Sequence, residues 1–207
     1  MRTIRLGTAP EEISQAVEVL RDGGIVAFPT DTVYGIGAHG MYPQAVERLY
    51  AVKERPRDKA IPLLLPGLDA LPAVAAAVPE VAHVLADRFW PGALTIVLRR
   101  SSCVPDAVTA GGDTVAVRVP DHPLAQALLR ALAAPLAATS ANRSGEPAPD
   151  TAAGALAQLE GRIDLILDGG RCPGGVPSTV VDLTVDPPAI LRVGGIDPAA
   201  LRRAIGL

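Results

Sequence analysis

The sequence TAPEEISQAVEVLRDGGIVAF, residues 8–28, contains a predicted helix followed by a predicted strand. A threonine cap, a proline in the first turn and apolar residues at helical spacing indicate a helix that begins after Thr8. The pair Gly23-Gly24 ends this helix, because glycine adopts the left-handed conformation at little cost. The short apolar run Ile25–Phe28 that follows predicts a buried strand.

The same alternation of helix and strand continues along the rest of the chain. Further helices are predicted at 43–52, 79–89, 122–132, 150–159 and 198–205, and further strands at 62–65, 94–98, 114–119, 136–138, 165–167, 179–183 and 190–193. This alternation predicts an α/β layered domain. Six residues join the last two strands, which is too few for a parallel crossover. We therefore expect that pair to be antiparallel and the sheet to be mixed.

The length and composition predict one folded domain. The chain has 207 residues, a hydrophobic fraction of 49% and no long linker, so we expect a single domain over 1–207. The net charge of -3 argues against a protein that wraps nucleic acid, because such binding needs an excess of basic residues. Cys103 and Cys172 are too isolated for a zinc site. No stretch is typical of a signal peptide or a membrane span, and we expect a cytoplasmic protein without membrane contact.

Residues 35–40, GIGAHG, match the glycine pattern GxGxxG of dinucleotide-binding folds. In those folds the glycines directly follow a strand and open a helix. Here residues 30–34 intervene after the predicted strand, and the next helix is predicted to begin near Pro43. We therefore interpret the glycines as a flexible turn that allows the backbone to pack closely.

Two polar segments follow predicted elements and are candidates for ligand binding. The sequence PTDTVYG, residues 29–35, comes directly after a buried strand, where open α/β sheets place their ligands. A polar turn is the structural alternative. The sequence KERPR places Lys53, Arg55 and Arg57 on one side of an extended segment. Such a row suits a triphosphate, although a solvated charged connector has the same composition.

Three further features carry polar groups of the kind that bind ligands. The sequence TSANRSG, residues 139–145, follows a predicted strand, and its hydroxyl and amide groups suit either a ligand or a capped turn. Arg118 and Arg192 each lie within an otherwise apolar strand. A charged group in such a strand must be paired or reach solvent, so both arginines are site candidates.

Seven motifs occur in one order across almost the whole chain: PTDTVYGIG, KERP, FWPGALTIVL, VAVRVPDHP, PLAATSANRSGEP, STVVDLT and ILRVG. Together they resemble the YrdC-like family of threonylcarbamoyl-adenylate synthases. The family hallmark is KxR followed by SxN. It is present here as Lys53 and Arg55, followed by Ser140 and Asn142.

The resemblance implies a fold, a reaction and its substrates. The fold is a twisted mixed α/β sheet with flanking helices and a concave basic cavity. Members of the family make threonylcarbamoyl-AMP and pyrophosphate from L-threonine, bicarbonate and ATP, for modification of tRNA next to the anticodon. Magnesium would accompany ATP, and a tRNA-modifying transferase complex would receive the product. Direct contact with tRNA would be weak.

The resemblance also implies roles for individual residues. Lys53 and Arg55 would bind the triphosphate and act in catalysis. The nucleotide would be held by these two residues together with Thr139, Ser140, Asn142 and Arg192. Threonine would be held by Thr30, Tyr34, Arg118 and Ser178, with Arg118 at its carboxylate. The magnesium ligands are unknown, although Asp31 is conceivable as one.

Two departures from the family pattern affect these expectations. Longer relatives carry an additional C-terminal domain, which we do not expect in this chain. Family members often have KPIPL where this chain has Lys59-Ala60-Ile61-Pro62-Leu63. The loss of one proline makes the loop more flexible but removes no chemical group.

Two other functions compete with the synthase. The first is an RNA-binding module that uses the same basic concave surface without ATP turnover. The net charge of -3 and an aromatic content of 3% argue against it, because single-stranded RNA binding relies on stacking. The second is a carbamoyl-transfer domain of the kind found in hydrogenase-maturation proteins, but the zinc-finger and acylphosphatase segments of those proteins are not found in this sequence.

Overall fold

The computed structural model describes residues 2–206. Within them the strands are β1 (Ile4–Leu6), β2 (Val26–Phe28), β3 (Gly35–His39), β4 (Leu63–Leu64), β5 (Leu94–Arg99), β6 (Thr114–Arg118), β7 (Leu136–Ser140), β8 (Leu165–Leu167), β9 (Thr179–Asp182) and β10 (Ala189–Arg192). The α-helices are α1 (Pro10–Arg21), α2 (Pro43–Lys53), α3 (Glu80–Phe89), α4 (Asp106–Thr109), α5 (Pro123–Leu132), α6 (Ala152–Leu159) and α7 (Pro198–Ala204). A short 3₁₀ helix spans Leu68–Ala73.

The strands form one mixed sheet in the order β1-β8-β2-β3-β7-β4-β6-β5-β9-β10. β1 and β2 both pair parallel to β8, β4 pairs parallel to β6, and β5 pairs parallel to β9. The other neighbours are antiparallel. Ile190 of β10 lies opposite Val181 of β9 in an antiparallel pair. The predicted mixed sheet and the predicted direction of its last two strands are therefore confirmed.

Helices cover both faces of the sheet, and each face has its own core. Val26 and Phe28 of β2 pack with Leu20 of α1 and Leu128 of α5. Ala27, which points to the opposite face, belongs to a larger core that includes residues of α2, α3, α6 and α7. Burial of both faces explains why the central strands are apolar on both sides. No helix within residues 2–206 is long and apolar enough to cross a membrane.

The glycine-rich segment that was expected to be a flexible turn is strand β3, so that expectation is wrong. β3 is antiparallel to both of its neighbours, β2 and β7, and all five of its residues are buried. A Cβ atom on Gly37 would lie 2.9 Å from Leu136 Cγ and 3.1 Å from Phe28 Cε1. Position 37 therefore requires glycine, because Leu136 and Phe28 approach its backbone closely. The expected close packing is present, but it occurs within a strand and not in a turn.

Three other elements were not predicted, and four helices, α1, α3, α5 and α6, begin one or two residues later than predicted. The additional elements are β1, α4 and the 3₁₀ helix. The N-cap of α1 is Ala9 rather than Thr8. The carboxylate of Glu12 accepts hydrogen bonds from the backbone N–H groups of Gly7, at 2.8 Å, and Ala9, at 2.9 Å. Glu12 therefore binds the N–H groups that precede the helix, which is the reciprocal half of a capping box, and no threonine side chain caps α1.

We predict that Gly37→Ala lowers the free energy of unfolding by about 1–3 kcal/mol, because the added methyl group overpacks the sheet against Leu136 and Phe28. Gly35→Ala is the matched control in the same strand. Its Cβ would lie 3.5 Å from Phe28 Cζ and from the Thr139 carbonyl oxygen, which is ordinary contact. Urea unfolding of both variants measures the difference, and an equal cost at the two positions would contradict the explanation.

Candidate active site

A cavity of about 320 Å³ lies where the β2–β3 connection meets β7, the end of β6 and the segment before β9. It contains eight of the ten residues predicted to bind substrates: Thr30, Tyr34, Arg55, Arg118, Thr139, Ser140, Ser178 and Arg192. Three of these are arginines, and no Asp or Glu of the described residues lines the cavity. The remaining two predicted residues, Lys53 and Asn142, lie outside the lining.

The turn after β2 is organised by the hydroxyl group of Thr30. Thr30 Oγ1 donates to the Val33 carbonyl oxygen at 2.7 Å and accepts from the Thr32 backbone N–H at 3.1 Å. It also lies 2.9 Å from Thr32 Oγ1. Either hydroxyl can be the donor in this contact, and in both cases at least one lone pair of Thr32 Oγ1 remains available to a ligand. Thr32 lines the cavity but was not among the predicted residues.

Arg118 lies at the end of β6 in a buried ion pair with Asp31. Its Nη2 atom donates to both carboxylate oxygens of Asp31 at 2.6 Å, and its Nε donates to the Gly92 carbonyl oxygen at 2.9 Å. Both side chains are largely buried, with 10% and 14% of their surfaces exposed. The ion pair therefore fixes the guanidinium in place, while Nη1 has no bond to the described residues.

Ser178 is hydrogen-bonded to Arg192 and to Thr95, and Thr95 was not among the predicted site residues. The Ser178 hydroxyl lies 2.8 Å from Thr95 Oγ1, and Arg192 Nη2 donates to it at 3.0 Å. Arg192 Nε donates to the Ser178 carbonyl oxygen at 3.0 Å. Thr95 also lines the cavity. Thr95 is the polar residue of the otherwise apolar run LTIVL, residues 94–98, and this could have marked it as a candidate site residue.

Arg55, Thr139 and Ser140 form another part of the cavity wall. Arg55 follows α2, and its Nε and Nη2 atoms donate to the carbonyl oxygens of Lys59, at 3.0 Å, and Ala60, at 2.8 Å. Thr139 and Ser140 end β7, where Ser140 lies opposite Gly35 of β3. The guanidinium of Arg55 is thus held by neutral carbonyl groups, so its positive charge is not cancelled by a carboxylate.

Tyr34 lines the cavity, but its hydroxyl group is bonded to protein. Tyr34 Oη donates to the Gly170 carbonyl oxygen at 2.8 Å and accepts from the Gly169 N–H at 3.3 Å. Burial is the main cause that raises the pKa of Tyr34 to about 12, with a further contribution from the charge of Asp168. The phenol therefore stays protonated at neutral pH and supports the cavity wall.

Lys53 and Asn142 lie behind the cavity wall. Lys53 is 2% exposed and Asn142 is 8% exposed. Lys53 Nζ donates to the carbonyl oxygens of Ser140 and Asn142. The predicted roles of these two residues at the nucleotide, like the roles of the eight lining residues, remain predictions.

The described residues do not form a metal-binding cluster. Within residues 2–206 there is no group of three or more His, Cys, Asp or Glu side chains that could hold a metal ion. Asp31, conceivable as a magnesium ligand, uses both carboxylate oxygens for Arg118. The residues therefore do not fit a protein-held magnesium. They remain compatible with magnesium bound by substrate phosphates.

A family model for Sua5, YciO and YrdC proteins, described as "Telomere recombination", matches residues 18–194. The threonylcarbamoyl-AMP synthase of Bacillus subtilis (strain 168) is 45% identical over 208 residues, which cover 99% of this chain and 59% of that protein. The chain thus spans about three-fifths of the length of this curated relative.

Two solved structures have a similar fold. The crystal structure of Pyrococcus abyssi Sua5 complexed with L-threonine matches with a TM-score of 0.94 and 42% sequence identity, covering 99% of this chain and 60% of that chain. The crystal structure of Escherichia coli YciO matches with a TM-score of 0.82 and 32% identity, covering 95% of this chain and 96% of that chain. The predicted mixed α/β architecture with flanking helices is therefore confirmed.

We predict a pH dependence of stability that depends on Lys53. Burial, with a smaller contribution from Arg55, lowers the pKa of Lys53 from its ordinary 10.5 to about 8. Between these two values the unfolded chain binds the proton that the folded chain has released, so the free energy of unfolding rises with pH in that window.

Urea unfolding of the wild type and of Lys53→Met at about pH 7.5 and about pH 9.5 measures this contribution. The stability of the wild type relative to the variant should be larger at the higher pH. A difference that is the same at both pH values would contradict the assignment.

Proposed function

The chain belongs to the Sua5/YciO/YrdC family, and we propose that it is a threonylcarbamoyl-AMP synthase. The observation that carries the proposal is the cavity, whose lining includes three arginines and five other polar residues that were predicted to bind substrates. A relative with the same family fold is named threonylcarbamoyl-AMP synthase. Three separately held positive groups suit a reaction in which a carboxylate and several phosphates occupy one cavity.

The proposed reaction has two steps and belongs to the nucleotidyltransferases. The amine of L-threonine attacks the carbon of bicarbonate, which gives a carbamate and water. A carbamate oxygen then attacks the α-phosphorus of ATP, and pyrophosphate leaves. The second step builds negative charge on the phosphate oxygens, so positive groups already in place lower its barrier. No covalent intermediate with the protein is needed.

Threonine binds in the part of the cavity near Arg118. Nη1 of Arg118 binds the carboxylate, because Nε and Nη2 are used by Gly92 and Asp31. Thr30 shapes the adjoining turn, Ser178 offers a hydroxyl group, and Tyr34 closes the wall.

ATP binds in the part of the cavity near Arg55. Arg55 lines the cavity together with Thr139 and Ser140, and its guanidinium stabilises the charge on the triphosphate and on the departing pyrophosphate. Arg192 binds the nucleotide from the β10 side. Magnesium would enter with the phosphates of ATP.

The product and the substrates suggest the cellular context. Threonylcarbamoyl-AMP is a reactive mixed anhydride, and in this proposal a transferase complex that modifies tRNA receives it. Because that complex, tRNA and ATP occur in the cytoplasm, we place the reaction there. Tyr34 is the only aromatic residue among the described lining residues, and it is fully buried. This supports a small-molecule site over a stacking platform for RNA bases.

We predict that pyrophosphate release from ATP requires both L-threonine and bicarbonate. Omission of either substrate should reduce release to the background rate, because no nucleophile then reaches the α-phosphorus. A coupled pyrophosphate assay with omission controls measures this. Equal release without threonine indicates simple ATP hydrolysis, and no release from folded protein contradicts the proposed synthase.

We predict that Arg118→Ala, made together with Asp31→Asn, raises the KM for threonine more than the KM for ATP. The expected rise for threonine is about 10–100-fold, because a hydrogen bond to a charged group contributes about 1.5–3 kcal/mol. The second substitution is needed because Arg118→Ala alone would leave the Asp31 carboxylate buried without its partner. Asp31→Asn alone is the matched control, because it differs from the double variant only at position 118. A larger rise in the KM for ATP would reverse the assignment of Arg118.

A further inference from the structure

The two residue pairs of the sequence hallmark are each split between the cavity and the layer behind it. Arg55 and Ser140 line the cavity. Lys53, two residues before Arg55, and Asn142, two residues after Ser140, are both buried outside the lining. The four residues of the hallmark therefore occupy two environments: Arg55 and Ser140 are exposed to the cavity, and Lys53 and Asn142 are buried in protein.

The ammonium group of Lys53 is surrounded by oxygen atoms of one short loop. Lys53 Nζ donates to the Ser140 carbonyl oxygen, to the Asn142 carbonyl oxygen at 2.6 Å and to Asn142 Oδ1 at 3.4 Å. An ammonium group has three protons, and these three acceptors use all of them. In this arrangement no proton of Lys53 remains for a phosphate oxygen.

The same loop is bound by the backbone of Lys53 and by the side chain of Asn142. The Lys53 carbonyl oxygen accepts from the Ser144 N–H at 2.9 Å. Asn142 Nδ2 donates to the carbonyl oxygens of Arg143, at 2.8 Å, and Glu146, at 2.7 Å. These bonds connect the end of α2 to residues 140–146.

Lysine suits this position better than arginine. Its ammonium group is a compact charge with three donors, whereas a guanidinium is a planar fork that matches two parallel acceptors. The acceptors here converge on one point from Ser140 and Asn142. The ammonium group thus supplies hydrogen-bond donors to several oxygen atoms that lie close together in a buried site.

From these contacts we infer that Lys53 is a positioning residue, which binds the 140–142 loop from behind and acts on ATP only through Ser140. Asn142 is a positioning residue of the same loop, and Arg55 is the member of the hallmark that contacts phosphate. The inference rests on the proposed function for the identity of the nucleotide. It differs from the expectation that Lys53 binds the triphosphate directly.

Binding of ATP and AMP distinguishes the two roles, because they differ in phosphate number. Calorimetry gives both dissociation constants for the wild type, Lys53→Met, Asn142→Ala and Arg55→Met. We place Ser140 at the part of the nucleotide that ATP and AMP share, so a displaced Ser140 weakens both by the same factor, roughly tenfold to a hundredfold. Lys53→Met and Asn142→Ala should both behave in this way, although only the first removes a charge. Arg55→Met should weaken ATP more than AMP.

Arg21→Met is the control for the loss of a positive charge, since Arg21 is exposed at the end of α1 and pairs with Glu18. It should leave both dissociation constants unchanged. If Lys53→Met weakens ATP much more than AMP, Lys53 contacts the phosphates and the inference is wrong. The inference is also wrong if Lys53→Met binds both nucleotides as the wild type does. If Lys53→Met fails to fold, Asn142→Ala decides in the same way.

Hydrogen exchange tests the loop contacts without any ligand. The amides of Ala141, Ser144 and Glu146 are hydrogen-bonded in the wild type and should exchange faster in Lys53→Met, while the amides of β3 keep their rates. If the wild type binds neither nucleotide, the proposed function fails. The exchange rates of the loop amides in the wild type and in Lys53→Met then still test whether Lys53 positions the loop. Unchanged exchange in the loop would then overturn the inference.

Discussion

The antiparallel ladder between β3 and β7 is the constraint on which the cavity depends. It pairs Gly35 with Ser140 and continues beyond the strands, where the Ala141 N–H donates to the Tyr34 carbonyl oxygen at 2.7 Å. The turn that contains Thr30 and the loop that follows Ser140 are thereby brought side by side. The ladder requires glycine at position 37, because Leu136 and Phe28 occupy the space of a side chain. Gly37 thus serves the site through packing.

Backbone carbonyl groups hold most of the charged side chains around the cavity. They accept hydrogen bonds from Arg55, Arg118, Arg192 and Lys53. A carbonyl group orients a cation and leaves its charge in place, whereas a carboxylate orients the cation and also neutralises its charge. Of these four residues, Arg118 has a carboxylate partner among the described residues. Under the proposed function, these positive groups are held in place before an anionic ligand binds, which is the condition for electrostatic catalysis.

The sequence predicted most helices, most strands and the mixed sheet because these follow from apolar periodicity and loop length. It did not predict β3, since glycine has low strand propensity and only tertiary pairing makes Gly35–His39 a strand. Eight predicted residues line one cavity because strand ends converge there. Residue type alone could not show that Lys53 lies outside the cavity lining. That fact depends on where the carbonyl groups of residues 140 and 142 lie in the folded chain.

The most direct test of this account is a crystal structure with L-threonine and a non-hydrolysable ATP analogue bound together. The account predicts the threonine carboxylate on Arg118, the phosphates on Arg55, and Lys53 Nζ still bonded to the carbonyl oxygens of Ser140 and Asn142. A phosphate bound to Lys53 Nζ, or threonine bound away from Arg118, would contradict it.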